Sequence, residues 1–168
     1  MTIKDGIGKL HEEMTAWRRH LHQHPETAFN EYETADYVAA RLASFGLDFH
    51  RGLAETGIVA SLTCGRGGGA IALRADLDGL DITEQNEFDH ASKNRGKMHA
   101  RGHDGHCAML LGAARYLSET RDFRGTVHFI FQPAEENEGG GRVMVEQGLF
   151  ERFEVEAVYG MHNWDARR

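Results

Sequence analysis

Two adjacent carboxylates, Glu135 and Glu136, follow shortly after an apolar run at residues 126–131 that is typical of a buried strand. Neighbouring carboxylates repel each other, and a cation or a shared proton stabilises such a pair. A metal site in which one glutamate binds the ion and the other acts as general base would explain the pair. A solvated surface pair is the alternative. The spacing leaves open which glutamate binds and which accepts the proton.

Other side chains with metal-binding or acid–base chemistry stand where further predicted strands end. Asp76 follows an apolar run at 70–74, and His162 follows a run at 155–161. His103 lies at the start of a predicted helix. The carboxyl ends of parallel strands share one edge of an open sheet, so these residues can converge there. Imidazole and carboxylate groups together suit Zn, Mn or Co.

Each of these groups also has a purely structural interpretation. Asp76 could form an ion pair with Arg74, and Asp104 could be the anion that favours a helix N-terminus. His162 alone could equally be structural. Only their combination in one strand–helix context favours a functional site. Three histidines of the first predicted helix are expected to be exposed: His20, His22 and His24.

Strands alternate with helices along the chain, which predicts an α/β fold. The strands are apolar runs rather than polar–apolar alternations, so we expect a mostly parallel, mixed sheet flanked by helices. Residues 81–100 are polar and are expected to form a loop. Helices are predicted at 8–24, 31–45, 105–119 and 142–147, and strands at 47–50, 58–63, 70–74, 126–131 and 155–161.

Composition excludes several classes of function. The chain has 168 residues, enough for one domain, and a net charge of −7 that argues against a nucleic-acid partner. No window is apolar enough to span a bilayer, and the N-terminus lacks the apolar core of a signal peptide, so the cytoplasm is expected. Cys64 and Cys107 do not make a disulfide framework. Eleven histidines are a mild indication of metal chemistry.

Five motifs follow one another in order along the chain: Trp17-Arg18-Arg19-His20-Leu21-His22 with Pro25-Glu26, Leu73-Arg74-Ala75-Asp76-Leu77-Asp78-Gly79-Leu80, Met98-His99-Ala100-Arg101-Gly102-His103-Asp104-Gly105-His106, Phe131-Gln132-Pro133-Ala134-Glu135-Glu136 and Gly160-Met161-His162-Asn163-Trp164. Together they resemble the motifs of the metal-dependent amidohydrolases that include hippurate hydrolase, N-acyl-amino-acid amidohydrolases and auxin-conjugate hydrolases. The resemblance extends from about residue 12 to Trp164.

The resemblance implies a zinc-peptidase-like catalytic domain with a two-metal site that holds Mn or Zn, or Co. It implies a small N-acyl amino acid as substrate, cleaved at its amide bond. By this analogy Glu135 is the general base and Asp76 a supporting acid. His106 and Asn163 are nearby polar residues without a firm role. The implied metal ligands are His103, Glu136 and His162.

Arg101 stands where the family carries a cysteine that binds metal. Arginine keeps its proton and has no free electron pair to offer a metal. Its charge would repel a bound cation by about 4 kcal/mol per pair of unit charges at about 4 Å and an effective dielectric constant of about 20. Asp81 also departs from the family, which usually has proline there, and a charge at that place is expected to loosen the turn beside Asp76.

Family members continue beyond the last motif into a dimerisation or lid domain and then supply a further histidine ligand. Residues 1–168 are therefore expected to be the N-terminal portion of a single catalytic domain, with those later parts absent. Homo-oligomerisation stays open. The hypothesis is an amidohydrolase by descent whose activity is impaired by Arg101 and by the early end. The alternative is a non-catalytic remnant that acts, if at all, as a binding or dimerisation module.

Overall fold

A five-stranded mixed sheet organises the computed structural model, which describes residues 2–163. The strand order is β1-β2-β4-β3-β5. β4, β3 and β5 run parallel to one another, β2 pairs antiparallel with β4, and β1 pairs antiparallel with β2 at the edge of the sheet. The predicted α/β class with a mixed sheet is confirmed. The strands are β1 Asp48–Leu53, β2 Gly57–Cys64, β3 Ala70–Asp76, β4 Gly125–Gln132 and β5 Ala157–Gly160.

Helices cover the sheet, and two short ones were not predicted. The first, α1, has a capping box in which Thr2 and Asp5 each bind the other's backbone amide. α4 begins two residues earlier than predicted, so its first turn contains His103. The helices are α1 Ile3–Gly8, α2 His11–Gln23, α3 Tyr32–Ser44, α4 His103–Thr120, α5 Gly140–Glu146 and α6 Leu149–Arg152.

β4 is largely apolar because both of its faces are buried. Successive side chains of a strand point to opposite faces. Phe129 and Phe131 enter the larger core with residues of α2, α3 and α4. Ile130 enters a smaller core on the other face, together with Met144 and Leu149. This two-sided burial explains why the strand is a continuous apolar run.

The polar segment at 81–100 forms the predicted loop, with no helix or strand of its own. An isolated bridge between Leu80 and Met98 closes its base. The loop runs from the end of β3 to the start of α4 and therefore ends at the same edge of the sheet as the predicted site. None of the helices in residues 2–163 is both long and apolar enough to cross a membrane.

Candidate metal centre

His103 is buried in the first turn of α4, and one of its ring nitrogens has no hydrogen-bond partner among the described residues. Gly102 precedes it at φ +83°, a left-handed conformation that favours glycine. The ring Nδ1 donates to the Asp78 carbonyl oxygen at 2.8 Å and lies 3.3 Å from Asp78 Oδ1. Burial lowers the pKa of His103, but hydrogen bonding to the Asp78 side chain and the charges of Asp76 and Asp78 raise it overall. The Nε2 atom is thereby oriented away from Asp78.

Glu135 and Glu136 lie on the bend after β4 and approach the free side of His103. Glu136 Oε1 lies 3.6 Å from His103 Nε2, and Glu135 Oε2 lies 3.7 Å from the same nitrogen. The Glu136 amide donates to Asp78 Oδ2 at 3.0 Å. Asp78 therefore contacts both His103 and the backbone of Glu136, which fixes the position of one relative to the other.

Two unpartnered atoms indicate that a cation fits between these side chains. Within residues 2–163, His103 Nε2 and Glu136 Oε1 are buried and have no hydrogen-bond partner. Buried polar atoms in native proteins are nearly always satisfied, so such a pair calls for a ligand. His103, Glu135 and Glu136 each offer one atom to a group small enough to surround one metal ion. The donor set of imidazole and carboxylate is one that Zn, Mn and Co accept.

Asp76 is fully buried at the end of β3, and both of its oxygens are occupied. Oδ2 accepts from Arg74 Nη1 at 2.8 Å, and Oδ1 accepts from His106 Nδ1 at 2.7 Å. His106 Nε2 in turn accepts the Asn163 amide at 3.1 Å. Asp76 therefore forms the ion pair with Arg74 that the structural interpretation predicted, and it also lies at the site. Asp76 orients His106, which follows His103 by about one helical turn and therefore lies on the same face of α4.

His162 follows β5 and is exposed. Its ring centroid lies 5.5 Å from that of His103 and 4.7 Å from that of His106. Each of four residues offers one atom to a second group that could hold a metal ion: Asp76, His103, His106 and His162. The structure therefore brings together every side chain that the sequence singled out for this site.

Arg101 lies at the mouth of the site, with 57% of its side chain exposed. Its Nε is 3.6 Å from Glu136 Oε1, the oxygen that also faces His103. A guanidinium cannot bind a metal, so at this place it competes with a cation for the same carboxylate. Cys107 lies in the larger core, and burial raises the pKa of its thiol.

The prediction that His22 is exposed is wrong. Its Nδ1 lies 2.9 Å from Asp104 Oδ2, and its Nε2 lies 3.0 Å from Glu84 Oε1. Arg18 Nε also donates to Asp104 Oδ2, at 3.1 Å. α2 packs on α4 and the loop at 81–100 covers the ring, which helical spacing alone does not reveal. Asp104 is thus a buried partner of His22 as well as an acid in the first turn of α4.

His99, in the last part of the loop at 81–100, is also buried. Burial lowers its pKa to about 4, so the ring is neutral at ordinary pH. Among the described residues, neither ring nitrogen has a hydrogen-bond partner.

The family model for peptidase family M20/M25/M40 matches residues 72–168, which contain the whole of this site. The chain therefore belongs to this peptidase family, and the resemblance seen in the sequence motifs is confirmed.

Individual relatives agree with this assignment. An N-acyl-L-amino acid amidohydrolase of Geobacillus stearothermophilus is 47% identical over 96% of this chain and 44% of its own length. The hippurate hydrolase of Campylobacter jejuni is 42% identical over 97% of this chain and 42% of its own length. The Bacillus subtilis YXEP protein, a dinuclear metal binding peptidase of the M20 family, superposes with a TM-score of 0.89 at 40% identity, over 95% of this chain and 45% of its own. The chain spans less than half the length of these relatives.

Proposed function

We propose that this chain carries the metal-binding part of a divalent-metal-dependent amidohydrolase that cleaves the amide bond of small N-acyl amino acids. The observation that carries the proposal is that His103 Nε2 and Glu136 Oε1, 3.6 Å apart, are both buried and have no hydrogen-bond partner within residues 2–163. The substrate class is taken from the relatives named as N-acyl-amino-acid and hippurate hydrolases.

In this proposal His103, Glu136 and His162 bind the metal, and Glu135 acts as general base. A bound divalent metal polarises a carbonyl and lowers the pKa of water, which makes hydrolysis feasible at neutral pH. Glu135 Oε2 lies 3.7 Å from His103 Nε2, and 32% of its side chain is exposed. Its carboxylate can therefore reach both the ion site and solvent, as a base that takes a proton from water must.

The proposed role of Asp76 is support rather than direct proton transfer. Both of its oxygens already accept hydrogen bonds, from Arg74 and from His106. His106 in turn holds the Asn163 amide, directly after His162. Asp76 thereby orients the neighbours of the proposed ligands in the way that outer carboxylates orient metal-binding histidines.

Mn or Zn is the proposed metal, with Co as a further option, since each accepts imidazole and carboxylate ligands. Arg101 is proposed to weaken the site, because its guanidinium is close to Glu136 and carries the charge of a cation. A site with reduced affinity and reduced turnover is the expected consequence. Activity of the whole protein would then depend on high metal concentration.

The test is turnover of hippurate and of a panel of N-acetyl amino acids in excess Mn²⁺, measured as released amino acid. Glu135→Gln should abolish turnover and leave metal binding intact, because it removes the base and keeps the shape. Glu138→Gln is the matched control on the exposed side of the same segment. Metal binding without any turnover in the unaltered chain would contradict the hydrolase function and favour a binding module.

A further inference from the structure

The bend that carries Glu135 and Glu136 is held in a conformation that its residues do not favour. Ala134 has φ +51°, a region that residues with a side chain rarely occupy. The Gly140 amide donates to the Ala134 carbonyl oxygen at 2.9 Å. A Cβ at Gly140 would lie 1.9 Å from the Pro133 carbonyl oxygen, so no side chain fits there. Such backbone strain persists only where the surroundings enforce it.

Glu31 lies directly beneath this bend and is completely buried. Its Oε1 accepts the Ala134 amide at 2.9 Å, although 103 residues separate the two in sequence. Its Oε2 accepts the Thr56 hydroxyl at 2.7 Å. A carboxylate so deeply buried is costly, and burial raises the pKa of Glu31 against the effect of these hydrogen bonds. A carboxylate buried at such a free-energy cost is expected to have a specific role.

A second buried carboxylate holds the other side of the same bend. Asp78 Oδ2 accepts the Glu136 amide at 3.0 Å. The amides on either side of Glu135 are therefore each bound by a carboxylate from another part of the chain. The backbone of both glutamates is fixed at two points, and their side chains are thereby directed toward His103.

We propose that Glu31 is a positioning residue: its carboxylate, oriented by Thr56, holds the Ala134 amide and so sets Glu135 and Glu136 at the metal site. The roles of these two glutamates come from the proposed function, on which this inference rests. The competing explanation is that Glu31 only stabilises the fold, since it directly precedes α3. Metal affinity and stability must therefore be measured separately.

The experiment compares Glu31→Ala and Glu31→Gln by titration with Mn²⁺ and by thermal unfolding in EDTA. Loss of an outer partner typically lowers metal affinity by about 10- to 100-fold, and we expect a change of that size for Glu31→Ala. Glu31→Gln should keep most of the affinity, because its amide oxygen can still accept the Ala134 amide. Ser61→Ala is the control, since it removes a hydrogen bond to His128 in the middle of the β2–β4 pair.

Metal affinity that is unchanged in Glu31→Ala, with stability reduced as in Ser61→Ala, would overturn the proposal. If Glu31→Ala does not fold, Thr56→Val replaces it, because it removes only the hydroxyl that orients Glu31. Weakened Mn²⁺ binding by Thr56→Val without a matching loss in Ser61→Ala is then the expected result. Equal affinity in Thr56→Val and the unaltered chain would refute the role.

A metal-free measurement separates this inference from the proposed function. Amide hydrogen exchange at Ala134 and Glu136, measured by NMR in EDTA, should accelerate in Glu31→Ala and stay slow in Ser61→Ala. If the unaltered chain binds no Mn²⁺ and the exchange still responds in this way, the proposed function fails and the positioning by Glu31 stands. Exchange that does not respond to Glu31→Ala would refute the positioning whatever the metal does.

Discussion

The inner wall of the site, formed by Asp76, Asp78 and His103, differs sharply from its outer rim. The wall residues are almost completely buried, and each is bound by neighbours on the sheet or on α4. The rim consists of Arg101, Glu135 and His162, which are exposed or partly exposed.

The difference shows which part of the site is organised before any ion binds. Hydrogen bonds hold the wall in place through the protein alone, so its geometry does not depend on a ligand. The positions of the rim side chains depend instead on solvent and on any ligand at the mouth of the site. We therefore expect changes in the wall to weaken metal binding strongly and a change of Arg101, on the rim, only to adjust it.

The largest effect is expected from Asp78→Ala, in the wall. This change removes the acceptor of the Glu136 amide and a neighbour of His103 Nδ1. Metal affinity should fall by about 10- to 100-fold or more. The free energy of unfolding should fall by about 1–3 kcal/mol for the amide left unsatisfied. Mn²⁺ titration measures the affinity, and urea denaturation in EDTA measures the stability. If Asp78→Ala bound Mn²⁺ as tightly as the unaltered chain, the distinction between wall and rim would be wrong.

A smaller effect, dependent on pH, is expected from His22→Gln. His22 contacts Asp104, the residue directly after His103 of the wall. The hydrogen bond with Asp104 raises the pKa of His22, burial opposes it, and Glu84 adds to it. The pKa of His22 is higher in the folded chain than its unfolded value of 6.5. The protonated ring therefore stabilises the fold fully below pH 6.5. This stabilisation is lost as pH rises through the folded pKa.

The expected loss on His22→Gln is about 2 kcal/mol near pH ~6, since hydrogen bonds to charged groups contribute about that much, and it becomes smaller as pH rises through the folded pKa of His22. Urea denaturation across this range measures it. At more acidic pH the contribution ends, because Asp104 and Glu84 become protonated as pH falls through their lowered pKa values. His11→Gln, at the exposed start of α2, is the control. An equal loss at every pH would contradict a charged His22.

The smallest effect is expected from Arg101→Gln, on the rim. Arg101 lies 3.6 Å from Glu136 Oε1, but more than half of its side chain is exposed, so solvent screens its charge. Removing it should tighten Mn²⁺ binding by about 1 kcal/mol, a several-fold change. Arg142→Gln removes an exposed arginine outside the site and should change nothing. Weaker binding in Arg101→Gln would mean that the guanidinium helps to hold the ion.

The sequence predicted the features that depend on local pattern. The apolar run of β4 and the carboxylates that follow it located the bend of Glu135 and Glu136, because burial on both faces of a strand leaves a continuous apolar signature. The strand ends correctly indicated that Asp76 and His162 would approach the helix that carries His103. These inferences needed only periodicity and the geometry of a parallel sheet.

The sequence did not predict the features that depend on distant partners. His22 has the spacing of a surface position, but α4 and the loop at 81–100 together bury it. Glu31 falls at the start of the helix predicted at 31–45 and was not singled out, and its partner Ala134 is 103 residues away. Both are buried polar residues whose role comes from contacts that no local pattern encodes.

The most direct test of the central claim is the metal content of the purified chain after incubation with excess Mn²⁺ or Zn²⁺ and desalting. If His103, Glu136 and His162 form a metal site, the unaltered chain and Glu138→Ala should retain metal close to one ion per chain. Glu136→Ala should then retain little or none. Absence of metal from the unaltered chain, or equal retention in Glu136→Ala, would contradict the claim that these residues form a metal centre.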